Sequence, residues 1–575
     1  MKRLMLGNEA IARGAYEAGV RVATAYPGTP STEITEFAAK YDEIYAEWSP
    51  NEKVALEVAI GASFAGARAM VAMKHVGLNV AADPLFTVSY TGVNAGLVII
   101  VADDPGMHSS QNEQDSRYYA RASQVPMLEP ADSQEALDFV KLAFELSEEY
   151  DTPVLIRLTT RIAHSQSIVT LGERMDIKLK DYKKLPDKNV MMPAMARKRH
   201  VEVERRMKAL ADAANDLWIN RIEMGDTSIG IIASGIVYQY AKEALPNASF
   251  LKLGMVNPLP RRLIESFASK VRKLYVIEEL EPVLEEQIKS WGIPVIGKEI
   301  FPVQGELSAN MIVEKIAGRA PDVRPAQDLP PRPPVMCPGC PHRGIYYVMK
   351  KLRFHATGDI GCYTLGALPP LEAIDTCVCM GASVGMAHGM EKARGRDFSR
   401  RLVAVIGDST FIHSGITGLI DIVYNQGTST VVILDNCTTG MTGHQDHPGT
   451  GRTIKGEAVP PLNLVNLIKA IGIEHVRVVD PFDLEEVEKV LKEETQREEP
   501  SVVIAQRPCA LLSKEMKAPL SIDRDTCRLC GVCLRLGCPA IEKKSDGMHI
   551  NQALCNGCGL CVKVCKFGAI RRAGE

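Results

Sequence analysis

The most constraining feature of this sequence is a group of cysteines at its C-terminal end. Eight of the 15 cysteines lie in the last 49 residues, within a block from Ser521 to Arg572. A block this short buries little core and needs cross-links or metal in order to fold. The N-terminus has no stretch typical of an export signal, so we expect a cytoplasmic protein whose cysteines bind metal rather than form disulfides.

These eight cysteines form two runs, Cys527-x2-Cys530-x2-Cys533-x4-Cys538 and Cys555-x2-Cys558-x2-Cys561-x3-Cys565. Three cysteines so spaced can each bind a different iron of one cubane, while the fourth thiolate comes from a distance. The runs resemble the two-cluster bacterial ferredoxins, and the resemblance implies that each fourth cysteine binds the other cluster. The implied first ferredoxin set is Cys527, Cys530, Cys533 and Cys565, and the second ferredoxin set is Cys555, Cys558, Cys561 and Cys538.

Two features of the block depart from the ferredoxin pattern. Four residues rather than three precede Cys538, and Lys566 stands where proline is usual. We expect the longer loop to change the surroundings, and so the potential, of one cluster. Two structural zinc sites are the alternative, although zinc sites usually pair two CxxC knuckles.

Composition limits the class of protein. The 575 residues suggest about four domains. The 67 basic and 70 acidic residues nearly balance, which argues against nucleic-acid or membrane-surface binding through bulk charge. No window approaches 18 uninterrupted apolar residues, so no membrane span is expected.

Continuous apolar runs alternate with amphipathic stretches, which predicts buried parallel strands joined by helices, an α/β fold. The charged stretch from about Gly172 to Asp226 lacks strand character, and within it we expect a solvated helix over Arg197–Asp216 with an exposed basic run at 197–200. Six prolines between Arg319 and Pro334 predict a linker. The predicted strands are Val22–Tyr26, Leu97–Ala102, Pro153–Leu158, Ile229–Ala233, Leu274–Ile277, Leu402–Ile406 and Thr430–Leu434.

Two of these strands end in polar residues. Gly407-Asp408-Ser409 follows one strand, and Asp435-Asn436 follows the next. Ligands bind beyond the carboxyl ends of parallel strands, so Asp408 and Asn436 are expected side by side as oxygen ligands for Mg²⁺. Gly407 would let the backbone approach a phosphate.

This pattern resembles the fingerprint of thiamine-diphosphate enzymes, a Gly-Asp-Gly followed some 25 to 30 residues later by Asn. The resemblance implies Asp408, Asn436 and the carbonyl of Thr438 as magnesium ligands, with Gly407 and Ser409 at the cofactor. Ser409 departs from the usual third glycine, and Gly-Asp after a strand is also a common turn.

The N-terminal block contains Tyr26-Pro27-Gly28-Thr29-Pro30-Ser31 and, further on, Ser49-Pro50-Asn51-Glu52 and Lys74-His75. Their order resembles the pyrimidine domain of the 2-oxoacid:ferredoxin oxidoreductases. The resemblance implies that Glu52 activates the aminopyrimidine ring, and it adds Thr29 and His75 as catalytic candidates. Two alternatives are that Glu52 only caps a helix with Pro50 at its first position, and that Glu57 has the role instead.

Four more cysteines match the same family. Its members bind a [4Fe–4S] cluster near the cofactor through a CxxC, one cysteine shortly after it and one at the end of the domain. The implied proximal set is Cys337, Cys340, Cys362 and Cys509. The alternative is a redox or zinc CxxC pair with two buried thiols.

The remaining candidates carry weaker signals. Cys377, Cys379 and Cys437 are expected to be core thiols. A lone histidine in a motif loop is more often structural than functional. Four such histidines are nevertheless candidates for orienting the substrate: His75, His342, His413 and His444.

The order and length of the blocks resemble the α subunits of the indolepyruvate:ferredoxin oxidoreductases within that family. The implied domains are a pyrimidine-binding domain at 1–170, a charged, partly helical connector at 171–226, a middle α/β domain at 227–318, the proline-rich linker at 319–334, a diphosphate-binding domain at 335–512 and a ferredoxin domain at 518–575.

The resemblance implies oxidative decarboxylation of aryl pyruvates with coenzyme A, a smaller β subunit in an α2β2 assembly, and ferredoxin as electron acceptor. The implied cofactors are thiamine diphosphate, Mg²⁺, two [4Fe–4S] clusters and a third at the proximal set. Alternatives are another 2-oxoacid oxidoreductase for pyruvate or branched-chain substrates, a non-oxidative thiamine-dependent decarboxylase, and an electron-transfer scaffold with a vestigial thiamine site.

Overall fold

The computed structural model describes residues 1–320, 330, 333–513 and 517–572. The chain divides into two compact units, Met1–Ala326 and Gln327–Glu575. Most of the proline-rich linker expected at 319–334 lies outside the described residues. No helix in the described ranges is both long and apolar enough to cross a bilayer.

The larger sheet of the first unit has seven strands among the described residues. Six are parallel, and the seventh, Met255–Asn257, runs antiparallel along one edge. Their side chains are almost all buried because helices cover both faces of a parallel sheet. In order across the sheet the strands are Met255–Asn257, Met127–Leu128, Val154–Thr159, Leu97–Asp103, Ala69–Lys74, Val22–Ala25 and Tyr45–Trp48.

The helices connecting these strands complete the first α/β layer. An antiparallel ribbon, Lys2–Leu6 with Gln166–Thr170, brings the two ends of this region together. The helices are Gly7–Glu17, Thr32–Ala38, Glu52–Phe64, His75–Val80, Ala82–Thr91, Arg117–Ser123, Ser133–Tyr150 and Thr160–His164.

A smaller sheet follows in the same unit. Its strands in order are Lys273–Ile277, Asp226–Ser234, Ala248–Leu253 and Arg221–Glu223. The expectation that residues 172–226 contain no strand is wrong, because Arg221–Glu223 pairs antiparallel with residues 250–252. This edge strand is charged and forms ion pairs rather than an apolar run, so its sequence carries no strand pattern. The accompanying helices are Gly235–Ala244, Arg261–Ala268, Val283–Ser290, Ala309–Ile312 and the π-helical turn Val313–Ala317.

The connector contains the helices Pro186–Asn189 and Pro193–Ala213. The longer one confirms the helix predicted over Arg197–Asp216 but is not simply solvated. Arg199 donates to the carbonyl of Tyr90 at 2.7 Å and forms a 2.8 Å ion pair with Asp151. Arg206 is buried, so the helix packs on the first α/β layer through its arginines.

The second unit is built on a parallel sheet that has six strands in the described part of the chain. They are, in order, Thr376–Cys377, His355–Gly358, Leu402–Gly407, Thr430–Asp435, Ser501–Gln506 and His475–Val479. Its helical segments are His342–Leu352, Cys362–Ala367, Ala382–Arg394, Arg396–Ser399, Asp408–Thr410, Phe411–Gly415, Ile416–Tyr424, Leu464–Ile471 and Leu484–Glu494.

The cysteine-rich module at the end of the chain has only short elements. Leu520–Ile522 pairs with Ile570–Arg572, and Ile541–Lys544 pairs with Gly547–Ile550. Two helical turns, Val532–Leu536 and Leu560–Val564, carry cysteines. These cysteines pack directly against the small apolar cluster of the module, so they form part of its core.

Candidate functional site

The strands Leu402–Gly407 and Thr430–Asp435 end side by side in the second unit. Gly407 is paired with Leu434, which places Asp408 beside the loop that begins at Asp435. The Asp408 carboxylate is buried and accepts hydrogen bonds from the backbone N–H of Ser409 at 2.9 Å and of Cys437 at 3.0 Å. The sheet therefore fixes the orientation of this carboxylate.

Asn436 lies in the loop that Asp408 contacts. Its Oδ1 accepts from the N–H of Thr438 at 3.2 Å, and its Nδ2 lies 3.5 Å from His342 Nε2. Cys437 between them has a φ of 59°, in the left-handed region, so the chain turns sharply here. Asp408, Asn436 and Thr438 are brought into one neighbourhood.

The charges at this place suit a divalent cation. Burial and the nearby Asp408 carboxylate both raise the pKa of Asp435, which shows that two acids share a poorly solvated region. An adjoining cleft of about 330 Å³ is lined in part by Asp408, Cys437 and His447. Because carboxylate and amide oxygens are the ligands that Mg²⁺ prefers, these residues fit a magnesium–diphosphate group.

Gly407 and Ser409 have roles of their own in the fold. A Cβ on Gly407 would lie 2.6 Å from Cε1 of Tyr363, so the close packing of this ring already requires glycine. Ser409 accepts a hydrogen bond from Thr439 Oγ1 at 3.0 Å, which ties the two strand-end loops together.

In the first unit, Glu52 begins the helix Glu52–Phe64. The alternative in which Pro50 is the first helical residue is wrong, because Asn51 is the N-cap and its Oδ1 accepts from the N–H of Val54 at 2.9 Å. The cap is thus provided by Asn51 rather than by Glu52.

The two candidate glutamates differ in burial. Glu52 is 4 % exposed, and a Cβ on Gly77 would lie 2.7 Å from its Oε1, so the carboxyl group packs against the helix His75–Val80. Glu57 is exposed and forms an ion pair with Lys53. Only Glu52 has the buried position that a proton-transfer role requires.

Thr29 and His75 lie at neighbouring strand ends in the same sheet. The carbonyl of Thr29 accepts from Ser109 Oγ at 3.2 Å, and Lys74 Nζ donates to the carbonyl of Ser109 at 2.7 Å. Burial lowers the pKa of His75 and lowers the pKa of Lys74 to about 8. Lys74 is part of the Lys74-His75 motif, but sequence reasoning assigned it no role, because a lysine at a strand end has no spacing signal.

The thiols of the proximal set come together in the second unit. The pKa of Cys340 is raised to about 12, mainly by burial and in part by the neighbouring Cys337 and Cys362. Burial raises the pKa of Cys362 to about 11, with added effects of Cys509 and Cys337. The thiols of all four cysteines are therefore electrostatic neighbours, as the ligands of a four-iron cluster would have to be.

The proximal set adjoins the loop of Asn436. The N–H of Cys509 donates to the Asn436 carbonyl at 2.9 Å. A Cβ on Gly440 would lie 3.5 Å from Cys362 Sγ and 3.6 Å from Asn436 Nδ2, so both side chains border the same space. The cysteines and the magnesium candidates thus share one end of the sheet.

The histidine candidates fall in different surroundings. His342 is buried, and burial lowers its pKa to about 4, so it is neutral at pH 7. His413 bonds to the adjacent Ser414 at 2.6 Å, and His444 Nε2 lies 3.7 Å from Cys509 Sγ. Sequence reasoning missed His447, whose Nε2 lies 3.2 Å from Asp408 Oδ2.

The expectation of core thiols at Cys377 and Cys379 is wrong, since both are exposed. They lie at and just beyond the short edge strand Thr376–Cys377, where no neighbouring strand in the described part of the sheet covers them. Cys437 is half-buried beside Asp435, and its Sγ lies 3.5 Å from Asp435 Oδ1.

The ferredoxin module groups its cysteines in two places. A cavity of about 20 Å³ is lined by all four members of the first ferredoxin set. In the second ferredoxin set, burial raises the pKa of Cys558 and of Cys561, and the nearby Cys538 and Cys555 contribute to the same shift. Across the described residues, no three His, Cys, Asp or Glu side chains are grouped as ligands of a single metal ion.

Three family models match the chain. Residues 13–215 match the thiamine-diphosphate-binding region of pyruvate flavodoxin/ferredoxin oxidoreductases. Residues 359–505 match the C-terminal TPP-binding domain of thiamine pyrophosphate enzymes. Residues 548–571 match a 4Fe-4S binding domain.

Whole-chain relatives have one description in common. The indolepyruvate oxidoreductase subunit IorA of Archaeoglobus fulgidus is 42% identical over 100% of this chain and 98% of its own length. The subunit of the same name from Pyrococcus horikoshii is also 42% identical, over 100% of this chain and 97% of its own. A solved 2-oxoglutarate:ferredoxin oxidoreductase from Magnetococcus marinus aligns with 55% of this chain and 65% of its own, at 18% identity and a TM-score of 0.48.

These matches confirm the predicted family and fold class, including thiamine-diphosphate and [4Fe–4S] binding. The scaffold and non-oxidative alternatives are not favoured. The chain belongs to the family of indolepyruvate oxidoreductase subunit IorA, among the thiamine-dependent 2-oxoacid:ferredoxin oxidoreductases.

Proposed function

We propose that this chain is the large subunit of a cytoplasmic enzyme that oxidatively decarboxylates aryl pyruvates, indolepyruvate above all. Coenzyme A would accept the acyl group and ferredoxin the electrons. The observation that carries this proposal is the contact between the proximal set and the Asn436 loop, through Cys509 N–H and the Asn436 carbonyl. This contact supports an electron acceptor close to the proposed magnesium–diphosphate site.

Thiamine diphosphate supplies a carbon nucleophile and an electron sink for loss of carbon dioxide from a 2-oxoacid. Glu52 would hold and return a proton at its buried carboxyl group, while the helix that it begins keeps the group in place. Asp408, Asn436 and the Thr438 carbonyl would hold Mg²⁺, with Gly407 and Ser409 in the same two loops. Thr29 and His75, at strand ends of the first unit, would orient the substrate.

The cysteine sets would carry the electrons away from this centre. The proximal set would hold one [4Fe–4S] cluster, and each ferredoxin set would hold another. The second ferredoxin set stands next to the proximal set, since Asn556, beside Cys555, donates to the Pro338 carbonyl at 3.1 Å. The order of transfer would then be proximal set, second ferredoxin set, first ferredoxin set and free ferredoxin.

The substrate and partners are inferred from the relatives. Their name specifies indolepyruvate and describes a subunit, which supports an aryl 2-oxoacid substrate and a second, smaller β subunit. We propose an α2β2 assembly. The reducing cytoplasm suits a chain whose functional cysteines must remain thiolates.

An anaerobic substrate panel tests this function. The chain, co-expressed with its partner subunit, is assayed with coenzyme A and ferredoxin against indolepyruvate, phenylpyruvate, 4-hydroxyphenylpyruvate and pyruvate. We expect aryl pyruvates to give at least about tenfold higher kcat/KM than pyruvate, because an aromatic ring buries far more apolar surface. A preference for pyruvate, or turnover without ferredoxin reduction, would contradict the proposal.

A further inference from the structure

Arg343 is a buried arginine that the proposed chemistry leaves unexplained. It is the second residue of the helix His342–Leu352 and follows Cys340 by three positions. Its relative exposure is 2 %. A guanidinium ion is costly to bury without a negative partner, so its position calls for a compensating charge.

The guanidinium of Arg343 connects two segments that carry cysteines. Nη1 donates to the carbonyls of Leu536 at 2.9 Å and Gly537 at 2.5 Å, immediately before Cys538. Nη2 donates to the carbonyl of Cys337 at 3.3 Å and also to that of Met336. One side chain therefore ties the proximal set to the second ferredoxin set.

These bonds leave the charge without a counterion. Within the described residues, all four run to neutral backbone carbonyls, and the buried Nε has no hydrogen-bond partner. Its bonds run to the carbonyl of Cys337 and to the carbonyl immediately before Cys538, so the groups beside it that can carry negative charge belong to both cysteine sets.

A second contact fixes the same junction. Asn556 Nδ2 donates to the carbonyl of Pro338, within the Cys337–Cys340 loop. A Cβ on Gly339 would lie 2.1 Å from that Nδ2, and Gly339 has a φ of 74°, so this close approach requires glycine. The module is thus held against the loop at a defined place, with the Arg343 guanidinium in the junction.

We propose that Arg343 is a positioning residue that couples the clusters of the proximal set and the second ferredoxin set, by holding their loops together and by placing one buried positive charge between them. The inference rests on the proposed function, in which both sets hold clusters. A reduced cluster carries one more negative charge than an oxidised one. A buried cation nearby therefore stabilises the reduced form and raises its potential.

The test uses the full chain with its partner subunit, reconstituted anaerobically. Arg343→Met removes the charge at similar side-chain length, and Arg343→Lys retains the charge with fewer donors. Arg535→Met is the matched control, because Arg535 is exposed in the turn before Cys538, where solvent screens its charge. The readouts are iron content, cluster potentials from EPR-monitored titration, and magnetic coupling between reduced clusters.

In Arg343→Met we expect two of the three cluster potentials to become more negative and the third to stay unchanged. Arg343→Lys should keep the potentials closer to those of the parent but weaken the magnetic coupling, because the loops are no longer held together. Arg535→Met should change neither property.

Full iron content with unchanged potentials and coupling in Arg343→Met would overturn the inference alone. If both Arg343 variants lose iron while the remaining potentials stay unchanged, Arg343 has only a structural role, and the inference is overturned as well. A parent chain without a cluster at the proximal set would overturn the proposed function and this inference together, and the parent's iron content shows that case directly.

Discussion

Asp408 and Asn436 directly follow two strands whose side chains are nearly all buried, whereas the cysteines of the last 60 or so residues pack into the small core of their own module. Each fully buried Val, Leu or Ile contributes about 1.5–3 kcal/mol, and the six-stranded sheet has many of them. The module has few. The sheet therefore forms its site without help, while the module depends on what its cysteines bind.

The largest expected effect is on the fold of the module when iron is removed. Chelation under anaerobic conditions should leave residues 517–572 without amide protection, because the metal supplies the folding energy that their core lacks. The strands Leu402–Gly407 and Thr430–Asp435 should stay protected. Hydrogen–deuterium exchange measures this. If the iron-free module kept the amide protection of the iron-loaded one, the proposed difference between sheet and module would be contradicted.

The next effect is on turnover, with the fold unchanged. Glu52→Gln should lower kcat on the order of a hundredfold or more, since the amide cannot take up and return a proton. Glu57→Gln is the matched control, because Glu57 lies on the same helix but is exposed and forms an ion pair with Lys53. Steady-state assays with the partner subunit measure both variants. Equal activity of the two would remove Glu52 from the mechanism.

Cofactor binding should be the next most sensitive property. Asp408→Ala should weaken Mg²⁺-dependent binding of thiamine diphosphate by at least about tenfold, because a charged metal ligand is lost. Asp397→Ala, which changes a carboxylate that is 96% exposed, should leave binding unchanged. Calorimetric titration at fixed Mg²⁺ gives both affinities, and circular dichroism confirms the fold. Parent-like affinity in Asp408→Ala would contradict the assignment.

The smallest effect is expected at His447. Its ring lies 3.2 Å from Asp408 Oδ2, so His447→Ala should loosen that carboxylate and weaken cofactor binding by roughly tenfold, the lower end of the range for an outer partner of a metal ligand. His475→Ala is the control, since His475 pairs with the exposed Glu499. The same titration applies, and a larger loss than in Asp408→Ala would reverse the proposed roles.

Long apolar runs made the central strands predictable. Residues 402–407 and 430–435 are buried on both faces, so their sequence is continuously apolar and their ends can be read to within one residue. The edge strand Arg221–Glu223 escaped prediction because its pairing depends on a distant partner. The helix begins after Asn51 rather than at Pro50, because the Asn51 side chain accepts a hydrogen bond from the N–H of Val54.

The site was predictable only where spacing encodes it. Cysteine spacing marked the ferredoxin sets, and the Gly-Asp and Asn positions marked the strand ends. His447 and Arg343 have no such spacing, since their roles come from residues far away in the sequence. The exposure of Cys377 and Cys379 depends on the edge of the sheet, which the local sequence does not reveal.

The proximal set, at one end of the six-stranded sheet, is proposed to bind a third [4Fe–4S] cluster in addition to the two clusters of the ferredoxin module. Iron is counted per chain in the anaerobic parent, in Cys362→Ala and in the exposed-thiol control Cys377→Ala. Three sets of four thiolates predict about twelve irons in the parent and in the control, and about eight in Cys362→Ala. About eight irons in all three, with the fold intact, would contradict the claim.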